Sequence, residues 1–176
     1  MLRGERVRLR ALESADAATI APWYADHEFS VLDGNIYATS EPSLEAFIRT
    51  LISPSFTDAS FGIENEGGVL IGIIRLKRGH AEDRRADLGI AIAKPWWSQG
   101  YGTDAILTLL RFAFDEMHLH RVSLGVLDDN LRAQRCYEKC GFVVEGRERQ
   151  SKYRAGWHDN ILMSILEDEF RAQPRS

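Results

Sequence analysis

A single-domain mixed α/β fold, one sheet with helices packed against it, is what this sequence predicts, and three observations predict it. Segments of strand period and of helical period follow one another in the order β-α-α-β-β-β-α-β-α-β-β. One helical segment, residues 103–117, carries a continuous apolar stripe of the kind that packs on a sheet. The 176 residues contain no internal repeat, low-complexity tract or linker, and a chain of that length buries about two-thirds of its unfolded surface in one core.

Each element has its own warrant. Residues 6–12 alternate Val7 and Leu9 with Arg8 and Arg10, the period of a half-buried strand. Ser14 or Asp16 then stands where a side-chain oxygen can cap a helix running to about Tyr24. Residues 26–39 show no clean period and read as a loop or broken helix, the sort of segment that often holds a substrate; residues 41–51 read as a second helix. Residues 61–65 and 69–76 flank Glu66-Gly67-Gly68 and read as a hairpin. Residues 86–93 read as a strand stopped before Pro95, which has no N–H to continue a ladder. In the long helix that follows, Ala105, Ile106, Leu109, Leu110, Ala113, Phe114 and Met117 recur at helical spacing. After a strand at Arg121–Leu127, residues 130–140 read as a short helix capped by Asp129 or Asn130 and stopped by Gly141. Residues 142–153 and 160–166, joined through Ala155-Gly156, close the chain as an antiparallel pair. The count is about seven strands and about four helices, with the domain at residues 1–170 and a frayed tail at 171–176.

Composition excludes several classes. A net charge of −4 gives no footprint for nucleic acid and mildly favours a cationic partner. No stretch approaches the roughly 20 apolar residues that cross a bilayer, and the first residues lack an apolar signal core, so the expected setting is cytoplasmic, without a membrane partner. Cys136 and Cys140, four apart in a helical segment, are too few for a disulfide framework or a closed zinc site. His118-Leu-His120 has no third ligand beside it, and no metal is expected.

The chemistry concentrates at Gly100-Tyr101-Gly102, immediately before the long helix. A helix N-terminus offers unpaired N–H groups and the positive end of a dipole, and glycine lets an anion approach without a β-carbon in the way. A tight strand-to-helix turn with no ligand explains the same glycines. A P-loop is excluded because the chain has no Gly-Lys pair. The run Gly100-Tyr101-Gly102-Thr103-Asp104-Ala105 formally fits a dinucleotide fingerprint, with Asp128 as the ribose contact. Pro95, Trp96 and Trp97, however, separate strand from glycine, and the repeated βαβ units of a doubly wound sheet are missing.

The stretch from residue 86 to 142 resembles the coenzyme-A core of the GNAT superfamily of N-acetyltransferases. The resemblance rests on the run from Gly100 to Ala105, on Val126-Leu127-Asp128-Asp129-Asn130, and on Tyr137-Glu138-Lys139-Cys140-Gly141-Phe142. The N-terminal strand, the irregular helical region and the ending from Glu145-Gly146-Arg147 to Asp159-Asn160 are similar to the branch of ribosomal-protein N-terminal and spermidine acetyltransferases. The family pattern opens with Gln or Arg three residues before the first glycine; here that residue is Trp97, so phosphate binding falls to backbone amides between Ser98 and Thr103.

The resemblance implies a mostly antiparallel, twisted sheet splayed at its centre, with acetyl-CoA as acyl donor in the gap. It implies donor contacts from the backbone of Ile90 and Ile92, from Trp97, Ser98, Gln99, Gly100, Tyr101, Gly102 and Thr103, and from Asn130 and Arg135. Arg132 is placed to reach phosphate as well. Asn130 is equally explained as a helix cap. Tyr137, seven residues on and on nearly the same helix face, takes the place of a general acid for the departing thiolate. Asp87 stands where relatives carry a carboxylate base, and it equally suits an ion pair with Arg84 or Arg85.

The acceptor implied is a primary amine, on a small molecule or a protein N-terminus. Asp26, Glu28, Asp33 and Glu41 would suit its positive charge, and Trp96, Trp97 and Trp157 are candidates for the cleft wall or for the core. A second class stays open: a module that binds acetyl-CoA or a protein without turnover. An exposed late strand would leave an edge for a homodimer.

Overall fold

A computed structural model describes residues 1–34, 40–52 and 58–173. Its strands are β1 (Leu2–Arg3), β2 (Arg8–Ala11), β3 (Asp58–Glu64), β4 (Leu70–Arg78), β5 (Arg85–Ile92), β6 (Arg121–Leu127), β7 (Val143–Tyr153) and β8 (Trp157–Leu166). Its helices are α1 (Asp16–Ile20), α2 (His27–Leu32), α3 (Glu41–Ile52), α4 (Tyr101–Asp115), α5 (Leu131–Lys139) and α6 (Glu167–Ala172). The strands form one sheet in the order β1-β2-β3-β4-β5-β6-β8-β7, antiparallel throughout except between β5 and β6.

Two faces are buried by different helices. α4 lies on one face, where Ala105, Ile106, Leu109, Leu110, Ala113 and Phe114 meet Ile71, Ile74, Leu76, Ala86 and Leu88 of the sheet. Each large aliphatic or aromatic side chain buried there contributes about 1.5–3 kcal/mol, which is why the apolar period was so clear in the sequence. On the opposite face a smaller cluster joins Ala17, Ile20, Leu44 and Ile48 to Leu70 and Ile73. Because β4 alternates, Ile73 and Arg75 look toward α1 and α3 while Ile74 and Leu76 look toward α4.

The structure departs from the sequence reading at three places. α1 has no side-chain cap. Asp16 instead accepts from the Glu13 amide at 2.9 Å and from both terminal nitrogens of Arg10 at 2.8 Å. A tight 3₁₀ turn, Ala21–Ala25, carries the chain on past Tyr24. Within the unperiodic stretch, Asp26 caps α2 by accepting from the Phe29 amide at 3.0 Å; residues 35–39 of that stretch lie outside the described residues. Arg171 and Ala172 of the expected frayed tail close α6, and Gln173 donates to the Cys140 carbonyl at 3.2 Å; residues 174–176 lie outside the described residues. β1, α2 and α6 are the elements the sequence count lacked, each too short to show a period. Among the described residues no helix is long and apolar enough to cross a membrane.

Candidate active site between β5 and β6

β5 and β6 pair only at Arg85↔Arg121, Ala86↔Val122 and Asp87↔Ser123, and then diverge. What the diverging backbones do with their polar groups follows from register. Gly72 opposes Ile92, and the Ala93 amide donates to the Ile71 carbonyl at 2.9 Å. In an antiparallel ladder this makes Ile92 a non-hydrogen-bonded position, so the N–H and C=O of Ile90 and Ile92 turn away from β4 and into the gap. On the other side Leu127 opposes Asn160, and the Asp128 amide donates to the Asp159 carbonyl at 3.1 Å. Gly125 therefore turns its backbone into the same gap. Backbone groups of this kind require partners, and the gap holds a cavity of about 520 Å³ lined by Ile90, Ile92 and Gly125 among others.

The entrance to α4 forms one end of this cavity. Gly100 precedes the helix with φ +90°, a left-handed backbone that side chains strain to adopt, and it gives the helix no side-chain cap. The first amides of α4 are consequently open. Gly102 lines the cavity, and a β-carbon there would stand 3.4 Å from Cys136 Sγ and 3.5 Å from Ile92 Cδ1, closing the space between α4 and α5. Trp97 donates its indole N–H to the Ile92 carbonyl at 2.5 Å, and the Arg132 guanidinium lies 3.8 Å from the centre of its ring. The turn is braced from outside: Asp104 accepts from the amides of Glu5, Arg6 and Val7 at 3.1, 2.8 and 2.9 Å, and the Gln99 carbonyl accepts from Arg6.

α5 contributes a buried tyrosine to the cavity. Asn130 caps it, accepting from the Ala133 amide at 3.2 Å, and Gln134 donates to the Leu127 and Asp128 carbonyls at 2.9 and 3.1 Å. His158 of β8 stands 3.3 and 3.4 Å from the Asp128 and Asp129 carboxylates, fastening the loop before the helix. Tyr137 is thereby fixed with its ring 5.9 Å from that of Phe142, buried and lining the cavity. Burial, and after it the neighbouring Cys136, pushes its hydroxyl well above the ordinary phenol range.

The far wall belongs to the α1–α3 face and to the β7–β8 hairpin. Tyr24, Asp33, Phe47, Arg75, Lys152 and Arg154 line it. Tyr24 donates to Asp33 Oδ2 at 2.7 Å, and Arg75 lies over the Phe47 ring at 5.9 Å. Asp33 is reachable from solvent yet walled by protein, and that desolvation raises its pKa, against the opposing pull of the Tyr24 hydroxyl and Arg75. Asp33 and Tyr137 line the same cavity.

Residues 6–143 match the family model of the acetyltransferase (GNAT) domain. The chain belongs to the GNAT acetyltransferase family. Over 176 residues it is 28% identical to "Putative ribosomal N-acetyltransferase YdaF" of Bacillus subtilis, covering 96% of each chain. It is 30% identical over 111 residues to spermidine N(1)-acetyltransferase of Vibrio cholerae, covering 62% of this chain and 64% of that one. The crystal structure of spermidine N-acetyltransferase from Vibrio cholerae in complex with CoA and spermine superposes with a TM-score of 0.84 at 28% identity, covering 94% of this chain and 98% of that one. The resemblance read from the motifs, including its branch, holds, and the chain is a GNAT N-acetyltransferase. Acetyl-CoA is the acyl donor that GNAT enzymes use.

Placed on the GNAT fold, the sequence-nominated residues separate. Ile90, Ile92, Trp97, Gly102, Asn130 and Tyr137 meet at the cavity. Ser98, Gln99, Gly100 and Thr103 shape the turn without lining it, and the buried Tyr101 side chain points away from the cavity, donating to Glu66 at 3.0 Å beneath Arg6. Arg132 lines the cavity and Arg135 does not, because Arg132 is the one drawn onto Trp97. Asp87 is also outside the lining: it sits where β5 and β6 are still paired, and its Oδ1 accepts from Ser123 at 2.7 Å, in place of the expected pairing with Arg84 or Arg85. Asp26 and Glu28 hold Lys94 at 3.0 and 2.8 Å, leaving Asp33 as the acidic residue of that region that faces the cavity. Of the tryptophans only Trp97 lines it; Trp96 packs on Tyr101 at 5.8 Å, and Trp157, 63% exposed, stacks on Tyr153. Arg75, Lys152 and Arg154 had no motif to announce them.

Proposed function

We propose that this chain transfers an acetyl group from acetyl-CoA to a primary amine by direct attack in a ternary complex. The observation that carries this is the meeting of the unpaired backbone of Ile90 and Gly125 with Tyr137 and Asp33 on a single cavity. The residues present fit the donor. An arm bearing amides would find the hydrogen-bond partners that β5 and β6 deny each other, and the open amides of α4, with Arg132 beside them, suit the pyrophosphate.

The chemistry then follows from ordinary acidities. A lysine-like amine has a pKa near 10.4 and an α-amine about 7.8, so the ammonium must lose a proton before its nitrogen can attack. Asp87 was the base suggested by position, but the carboxylate that faces the cavity is Asp33, and we assign to it the ammonium and its proton. A carboxyl of raised pKa is the better proton acceptor. The amine nitrogen bonds to the thioester carbonyl carbon, the carbon–sulfur bond breaks as the Tyr137 hydroxyl protonates the departing sulfur, and the second proton that the nitrogen sheds in becoming an amide restores the Tyr137 phenol. Burial keeps Tyr137 protonated until that moment, and among the described residues no hydrogen bond engages its hydroxyl. A module that only bound acetyl-CoA would have no use for such a group.

The test is release of free thiol from acetyl-CoA with an amine panel of amino acids, short peptides with free N-termini, spermidine and aminoglycosides, with products weighed by mass spectrometry. Amine-dependent release with a gain of one acetyl group is expected. Binding of acetyl-CoA without release for any amine would leave a silent module, and the transfer reading would fail.

A further inference from the structure

The far wall of the cavity is richer in positive charge than an amine acceptor requires. Arg75, Lys152 and Arg154 line it against one carboxylate, Asp33. Among the described residues, neither Arg75 nor Lys152 has a hydrogen bond or ion pair from its side-chain nitrogens. Arg154 donates to the Gly34 carbonyl at 2.9 Å and the Tyr153 carbonyl at 2.7 Å, which holds the hairpin against the end of α2, yet its Nε is buried with no partner. Residues 35–39 and 53–57 contain no Asp, Glu, Lys or Arg, so they add nothing to this balance.

Two of these cations stand away from the donor's phosphates, and Arg154 is bonded to the Gly34 carbonyl at the end of α2. Arg75 looks toward α1 and α3, on the face of the sheet opposite α4, whose N-terminus and Arg132 serve the pyrophosphate. Gathered cations facing one cavity repel one another unless something anionic enters with them. A polyamine would bring further ammonium groups to a wall that already carries an excess of them. A molecule with both signs would satisfy it.

We propose that the acceptor is a primary amine that itself carries an anionic group, with its ammonium at Asp33 and its carboxylate or phosphate among Arg75, Lys152 and Arg154. This rests on the transfer reading above and narrows it. Guanidinium groups bind carboxylate and phosphate by paired, charge-assisted hydrogen bonds, and Lys152 adds a point charge at the rim.

The test measures kcat/KM for matched pairs: glutamate and serine against their amides, phosphoethanolamine against ethanolamine, and a peptide beginning with Asp against one beginning with Asn, with spermidine alongside. In at least one pair the anionic member is expected to exceed its neutral partner by about tenfold or more, and the pair that does so separates a free amino acid from a phosphoamine or an acidic N-terminus. Arg75→Gln and Lys152→Gln are expected to shrink that ratio toward one; Lys152 is exposed, so its variant keeps the test intact if Arg75→Gln does not fold. Spermidine outrunning every anionic amine, or a ratio unmoved by both variants, overturns the proposal while leaving acetyl transfer standing. Absence of thiol release with every amine removes acetyl transfer itself, and this inference with it.

Discussion

The donor wall of the cavity comes from one stretch of chain, residues 90–137, and consists largely of backbone: the diverging edges of β5 and β6 and the open amides of α4. The acceptor wall is gathered from Tyr24, Asp33, Phe47, Arg75, Lys152 and Arg154, which belong to separate elements and meet only in the fold, and it consists of side chains. Backbone groups present the same chemistry whatever residues carry them, so the donor wall suits a substrate shared across the family. Side chains vary independently, so the acceptor wall is where one chain can differ from its relatives. Variants that strike one wall should therefore separate donor binding from acceptor choice.

Tyr137→Phe, at the meeting of the two walls, should have the largest effect. Loss of a general acid lowers kcat by about 10²- to 10⁴-fold, while acetyl-CoA affinity measured by calorimetry should stay within about threefold. The ring remains to pack against Phe142. An unchanged kcat with intact affinity would show that the sulfur leaves without Tyr137.

Asp33→Asn strikes the acceptor wall alone. We expect kcat/KM for the amine to fall about 10- to 100-fold with acetyl-CoA affinity retained. The pH profile gives the sharper readout. Because desolvation raises the Asp33 pKa, its protonation should set an acid limb of kcat/KM above the usual carboxylate range near 3.9, and the variant should lose that limb. Stability runs the other way. The folded state holds this proton more tightly than the unfolded one, so the contribution is present below the unfolded pKa and is lost as pH rises through the folded value. The variant should therefore gain in melting temperature relative to the parent as pH rises, and an acid limb that survives the substitution would assign the base elsewhere.

The same contrast decides what could be read from the sequence. α4 was legible because its stripe is buried on the sheet, and the α4 entrance because Gly100 and Gly102 mark one short turn within the chain. Tyr137 followed because seven residues along a capped helix fix a direction. Asp87 lies short of the cavity, and the sequence did not show this because strand period gives a face but not how far along the strand the gap opens; β5 and β6 part just beyond it. Asp16 and Asp104 carry composition typical of caps, yet their carboxylates serve Arg10 and the β1–β2 turn, partners that only tertiary packing supplies. Arg75 and Arg154, far apart in sequence, had no local signal to join them, which is why their place on one cavity emerges only from the fold.

Trp97→Phe should have the smallest effect and is the closest test of the donor wall's backbone character. Its indole N–H occupies the Ile92 carbonyl, one of the groups that the diverging strands turn into the gap, and its ring supports Arg132. Phenylalanine keeps a ring for the guanidinium and removes the donor. If the bond serves to hold the end of β5 open, losing it costs about 1 kcal/mol and raises the acetyl-CoA dissociation constant about fivefold, with kcat for the amine nearly unchanged. A dissociation constant that falls instead would mean that the indole had been competing with the donor for that carbonyl. Either direction, read without a change in the anionic-to-neutral preference among acceptors, supports the independence of the two walls; a shift in that preference would show that they are coupled through β5.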